Sequence, residues 1–329
     1  MKYIDNRLTD PHFNLAVEEY ILSNCKDEET YFLLWQNEPS IIIGKHQNTI
    51  EEINNAFVGD NNIHVVRRLS GGGAVYHDLG NLNFTFIVGN SKDKIFDFSK
   101  FTLPIVKMLQ SQGVNAELNG RNDLTIESKK FSGNSQYVKK DKLLHHGTLL
   151  FDSNLDDVQR ALMVSDEKIV SKGVKSVRSR VTNILEHMKE KITVTEFKTK
   201  LAEYVKEQDE NWEEHVLKDE DIAEIKKIAE SKYNTWEWNY GESPAFNYKN
   251  SKRFEGGKLE IFIDIKEGIV KSCRFYGDFF SKENFPEIEE SIIGQRYEKE
   301  EIANALSRFN DKEIIMGISI DQILSVMFE

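Results

Sequence analysis

Residues 67–81 read RRLSGGGAVYHDLGN. Three consecutive glycines follow an apolar run that ends in two arginines, IHVVRRL (63–69), and precede another, LNFTFIV (82–88). A dinucleotide fingerprint GxGxxG counted from Gly71 would need a glycine at Tyr76, and no Gly-Lys-Ser/Thr follows to complete a P-loop. The loop therefore joins two strands rather than a strand and a helix. Glycine clusters most often make tight turns or bulges, but two adjacent arginines favour an anion site. Without Cβ atoms, several backbone N–H groups can approach one phosphate as a nest that needs no helix dipole. Arg68 at the lip would add countercharge and a planar fork of donors.

A length of 329 residues exceeds the usual size of one compact core and predicts a large domain plus a smaller one. Composition is that of an ordinary globular protein, with 39% hydrophobic and 30% charged residues. A net charge of −12 argues against a dedicated nucleic-acid binder, so an anionic ligand must meet a local positive site. Cys25 and Cys273 lie far apart without ligand-like spacing, which suggests neither a disulfide framework nor a zinc site and suits a reducing cytoplasm. The first 20 residues turn charged too early for a signal peptide or a membrane span.

Asp10-Pro11 reads as the N-cap and first position of a helix over 11–24. Strands are expected at 30–36 and 40–44, and Thr49 with Glu52 predicts a capping box for a helix reaching Phe57. Another helix is expected over 99–112, closed by Gly113, then a β-meander from 115 to 152. Thr193 with Glu196 caps a further helix, and Ile222, Ile225 and Ile228 mark one more. The expected division is a domain over 1–246, a linker over 247–257 and a C-terminal domain over 258–329 that opens with a hairpin turning at Glu267-Gly268. Trp236, Trp238 and Tyr240 alternate and are expected to pack the domain junction.

Within the meander, strand alternation puts Lys129 and Lys130 on opposite faces, so only one of them can share the side of Asp123 and Thr125. Most lysines are solvated and unspecific, Lys129 among those expected to be so. The basic run Lys172, Lys175, Arg178 and Arg180 has the same bland reading, a solvated face, beside that of a loop over an anion. His77 either bonds within the core or reaches a cleft.

Six ordered blocks carry a family resemblance: RRLSGGGAVYHDLGNLNFTF (67–86), GRNDL (120–124), KFSGNSQ (130–136), HHGTLLFD (145–152), KGVKSVRSRVTNI (172–184) and WEWNYGESPAF (236–246). From end to end the sequence resembles lipoate-protein ligases. The resemblance implies a large mixed-sheet α/β (α+β) catalytic domain, shared with biotin protein ligases, and a small α+β C-terminal domain that moves during the cycle. It implies that ATP activates free lipoate to lipoyl-AMP, and that the lipoyl group then passes to a lysine of an acceptor. The implied acceptors are lipoyl domains of 2-oxo acid dehydrogenase complexes and the glycine-cleavage H protein.

By that resemblance Lys130 is the essential lysine. Arg68, Ser70, Gly71, Gly72, Gly73, Ala74, Val75, Tyr76, Asn81, Asn122, Asp123, Gly147 and Thr148 surround the adenylate, and Asp123 holds Mg²⁺. Lys130, Arg68, His77 and His146 meet lipoate, whose chain calls for an apolar tunnel with Ile42, Val66, Val75 and Tyr76 as candidates. The alternatives are a carrier-to-carrier lipoyl or octanoyl transferase, which needs an activated thiol, and a non-catalytic lipoate-binding protein. No cysteine falls in the six blocks.

Overall fold

A computed structural model describes residues 1–90, 97–162, 180–241, 247–282, 284–309 and 314–328, apart from the side chains of Ile50, Glu51, Asn55 and Ala56. Asp10 caps the helix Pro11–Asn24 as expected, its carboxylate accepting the N–H of His12 at 2.9 Å. That helix lies on one face of a mixed eight-stranded sheet in the order β11-β1-β2-β6-β10-β9-β8-β7. The strands run Lys2–Asp5 (β1), Thr30–Trp35 (β2), Asn81–Val88 (β6), Ala116–Asn119 (β7), Asp123–Ile126 (β8), Lys129–Lys139 (β9), Lys142–Leu150 (β10) and Glu213–Glu214 (β11). Strands β7 to β10 are the expected meander, paired antiparallel throughout.

β2 shows how the sheet is buried on both sides. Tyr31, Leu33 and Trp35 join the apolar cluster of the first helix, whereas Phe32 and Leu34 join that of the helices Ser99–Ser111 and Val194–Glu207. Period-two alternation makes two cores from one strand. A second sheet, β4-β3-β5 (Ser40–Ile43 as β3, His64–Arg67 as β4, Val75–His77 as β5), holds the glycine loop between β4 and β5. A strand-to-strand connection is therefore what the structure contains.

A third sheet, β12-β13-β14 (Tyr248–Phe254, Gly257–Lys266, Ile269–Gly277), carries its own apolar cluster with the short C-terminal helices. Most of the segment expected as linker is β12, paired with β13 through seven registered residues. As an edge strand it needs little apolar periodicity, which is why its sequence reads as loop. The hairpin turn falls at Glu267-Gly268, both at positive φ.

Two other local expectations change. Thr49 makes no cap: the helix Thr49–Glu52 stops at Ile53, a second begins at Asn55, and the Thr49 hydroxyl donates instead to the Asn239 carbonyl at 2.6 Å. Trp236 to Asn239 form a short helical turn. Trp238 ties that turn to β4, its indole N–H donating to the Arg67 carbonyl at 2.8 Å, and Trp236 is exposed and stacked on Tyr240. These aromatics thus brace the large domain rather than the junction. The Thr193–Glu196 capping box forms with both of its hydrogen bonds.

Candidate active site

Strand registers assemble the site. Trp35 of β2 pairs with Asn83 of β6, Asn83 with Thr148 of β10, and Asp123 of β8 with Gly133 of β9. The Gly133 N–H donates to the Thr148 hydroxyl at 3.2 Å, so the row is continuous across five strands. A cavity of about 120 Å³ lies over this row, with Lys130, Asn122 and Thr148 toward one end and Trp35, His77 and Leu15 toward the other. β5 roofs it with Val75 and His77, and β3 with Ile42.

The glycine loop is held by Arg68. Its buried guanidinium makes four hydrogen bonds, to the carbonyls of Ile42, Gly71 and Gly73 and to the Ser70 hydroxyl, at 2.6–3.0 Å. The expected free fork at the lip is therefore corrected: the side chain lines the cavity, but its donors shape the loop first. Burial lowers its pKa to about 10, so it keeps its charge at neutral pH. Gly72 sits at φ +91°, a conformation that L side chains rarely adopt. Its N–H donates to the carbonyl of Phe279 at 3.1 Å, so one amide of the expected nest is covered by the C-terminal segment. The same segment stacks Phe279 on His46 at 4.7 Å, and Arg121 lies 4.5 Å over the Phe280 ring.

Behind the loop runs a buried relay. Ser70 accepts from Arg68 Nε and its hydroxyl lies 2.6 Å from His146 Nε2, and His146 Nδ1 stands 3.0 Å from both oxygens of Glu18. Thr85, itself accepting from the Trp35 indole, donates to Glu18 at 2.5 Å. Each polar side-chain atom of this relay finds a partner.

At the other end a β-bulge sets the lysine. Leu124 pairs with Ser132 and Thr125 with Lys130, so Phe131 is the extra residue, and Ser132-Gly133 lies within β9 rather than in the turn its composition suggests. Lys130 folds back over Gly133, where a Cβ would stand 2.9 Å from its Nζ. There it meets Asp123 Oδ1 at 2.8 Å, both side chains more than a third exposed. Lys129 is exposed and does not line the cavity. The backbone of Lys130 pairs with residues 180–182, the end of the basic run; Lys172, Lys175 and Arg178 lie outside the described residues.

Of the residues proposed from sequence, Arg68, Gly72, Gly73, Ala74, Val75, His77, Asn122, Lys130, His146, Gly147 and Thr148 line one cavity. Ser70 and Asn81 stand one layer behind, Asn81 donating to Asn83. Gly71 turns its carbonyl to Arg68 and to the Ser135 hydroxyl. Tyr76 is a correction: alternation along β5 points it away, into the cluster of Ile41, Ile43 and Val65. Val66 is packed beside the cavity without lining it. Glu18, Asn83 and Asn134 were not among the site residues expected from sequence; for Glu18 the one signal is an acid within the apolar period of the first helix.

Neither cysteine is near. Cys25 is buried, its pKa pushed up to about 11 by desolvation and then by Glu29, and Cys273 is buried and shifted upward too. Among the described residues no cluster of three His, Cys, Asp or Glu could hold a metal, and no helix is long and apolar enough to cross a membrane.

Comparison with known proteins agrees across both parts of the chain. Residues 10–206 match the lipoyl protein ligase A/B catalytic domain, and residues 243–327 match the bacterial lipoate protein ligase C-terminus. The chain is 45% identical over 331 residues to lipoate-protein ligase LplJ of Bacillus subtilis (strain 168), covering 100% of both. The crystal structure of P. falciparum LipL1 in complex with lipoate is similar with a TM-score of 0.78 at 26% identity, over 99% of this chain and 97% of that one. The structure of lipoate-protein ligase A bound with ATP gives 0.64 at 26% identity, over 73% of this chain and 99% of that one.

Proposed function

The chain belongs to the lipoate-protein ligase family and is an enzyme of that class, and from that premise we propose how its own residues carry the reaction. Free lipoate and ATP give lipoyl-AMP and pyrophosphate, and the acyl group then passes to the amine of an acceptor lysine. The observation that carries this reading is the cavity's polarity: the Lys130 ammonium, beside Asp123, at one end and a tunnel walled by Leu15, Ile42, Val75 and Trp35 leading away from it. That shape suits an apolar chain with a single carboxylate.

Lys130 Nζ bridges the lipoate carboxylate and the α-phosphate. Both are anions and more charge develops as they join, so a fixed cation is worth most there. Asn122 and Thr148 add donors beside it, and the glycine-loop amides bind the phosphate once the Phe279 carbonyl leaves Gly72. A C-terminal segment that caps the loop and moves aside for nucleotide fits the motion implied by the family resemblance. Among the described residues Asp123 is the carboxylate paired with Lys130. It suits a Mg²⁺ that arrives on the nucleotide, because Mg²⁺ usually takes one or two carboxylates and completes its shell with phosphates and water. That ion would offset the charge of departing pyrophosphate.

The acceptors we propose are lipoyl domains and the glycine-cleavage H protein, in the cytoplasm. Purified enzyme with Mg²⁺ is expected to exchange pyrophosphate into ATP only when lipoate is present; a protein that binds lipoate without exchange would be a carrier. Lys129→Ala should leave that exchange within about twofold, as surface changes usually do. Cys25→Ser with Cys273→Ser should still modify an acceptor, read by the mass of the product, since both thiols are buried away from the cavity. Loss of transfer in that double variant would restore the thioester route.

A further inference from the structure

The distal end of the cavity holds a polar atom that the reaction does not use. His77 is 3% exposed and lines the cavity, and its Nε2 has no hydrogen-bond partner among the described residues. Its Nδ1 is met by two amides, Asn37 Nδ2 at 3.0 Å and Asn83 Nδ2 at 3.4 Å. Neighbouring bonds fix the direction of both. Asn14 Nδ2 donates to Asn37 Oδ1 at 2.8 Å, with Asn14 Oδ1 itself accepting from Asn6, and Asn81 Nδ2 donates to Asn83 Oδ1 at 2.9 Å. Each asparagine thus has only its NH₂ left for the histidine, so Nδ1 carries the lone pair. Burial, then the charges of Arg68 and His146, lower the imidazole pKa to about 3. A neutral ring with Nδ1 as acceptor has its proton on Nε2.

Position along the cavity follows from the strand row. Asn83, which touches His77, is two strands from Gly133, over which Lys130 folds. Two strand spacings are ~10 Å. With its carboxylate at Lys130, a medium-chain acid brings its far end to His77 and the Trp35 ring.

We infer that His77 Nε2–H reads that far end: it donates to a sulfur of the lipoate dithiolane and so selects the sulfur-bearing acid over a plain fatty acid. The inference rests on the lipoate reading of the site. Water can serve this donor while the cavity is empty, but a ligand that displaces water must replace the bond. A methylene chain leaves the N–H unpaired, whereas sulfur is a weak acceptor and also packs well against an aromatic wall.

The test compares lipoate with its carbocyclic analogue, in which cyclopentane replaces the dithiolane, in pyrophosphate exchange by the wild-type enzyme. The preference for lipoate is expected to be about tenfold in kcat/KM, expressed in KM, because an orphaned buried donor is at stake. His77→Leu should bring the ratio near one, chiefly by weakening lipoate, and His77→Gln, which keeps an N–H near the Nε2 position, should restore part of it. A wild-type enzyme that uses both acids equally overturns the inference, as does a His77→Leu variant that weakens both alike. Should that variant fail to fold, the wild-type ratio decides alone. Absence of exchange with either acid would instead overturn the functional reading on which the inference rests.

Discussion

Lys130→Ala is expected to lower lipoate-dependent pyrophosphate exchange by about 10²–10³-fold, the usual loss when one fixed donor to a developing anion is removed. The effect should fall on kcat more than on the KM for lipoate, because the tunnel walls that hold the acyl chain are untouched. Three local features make this lysine irreplaceable by its neighbour. The bulge at Phe131 sets the register in which Lys130 stands opposite Thr125, Gly133 leaves room for the side chain to fold back, and Asp123 meets the ammonium at 2.8 Å. Lys129, on the opposite face, cannot reach the row. A Lys130→Ala enzyme with near-normal exchange, beside a Lys129→Ala enzyme without it, would show that the reacting carboxylate sits elsewhere.

Arg67→Ala should cost about 3–5 kcal/mol of stability, because several buried acceptors lose their donors together, seen as a lower urea midpoint with little change in slope. Arg67 is 8% exposed, and its guanidinium makes six hydrogen bonds: to the carbonyls of Gly44, Lys45, Gln47, Trp238 and Asn239 and to the Thr49 hydroxyl. Burial lowers its pKa to about 10, so it is still charged at neutral pH, and those six acceptors take the place of water. Truncation orphans them together and frees the segment after β3 from the Trp236–Asn239 turn. Arg67→Lys should recover less than half of the loss, because three donors on a flexible stem cannot match a planar fork among six acceptors. If Arg67→Ala unfolded at the wild-type urea concentration, the clamp would be redundant. Adjacent arginines thus divide the work: Arg67 locks the scaffold, and Arg68 shapes the loop.

Much of this was legible locally. The Asp10 cap with Pro11, the Thr193–Glu196 capping box and the turn at Glu267-Gly268 each depend on groups a few residues apart, and all three formed. The opposed faces of Lys129 and Lys130 needed only the period of a strand. Where a local rule failed, a distant group had outcompeted it. Thr49 should cap its own helix, but the Asn239 carbonyl and the Arg67 guanidinium take its hydroxyl. Tyr76 belongs to the loop by order but to the opposite cluster by alternation, and nothing in the sequence says which face of β5 looks on the cavity.

Short-range pattern in the sequence thus placed most strands and helices, showed that the glycine loop connects strand to strand, and gathered the residue types around it. Their electrostatic surroundings came from packing across the fold. Glu18 meets His146 across 128 residues, Asn83 and Asn37 fix the tautomer of His77 from two elements, and the Phe279 carbonyl covers Gly72 from the C-terminal segment. Capping and alternation are short-range and leave their pattern in neighbouring residues. A buried proton's position depends on every polar group packed around it, and packing brings those groups from the whole length of the chain.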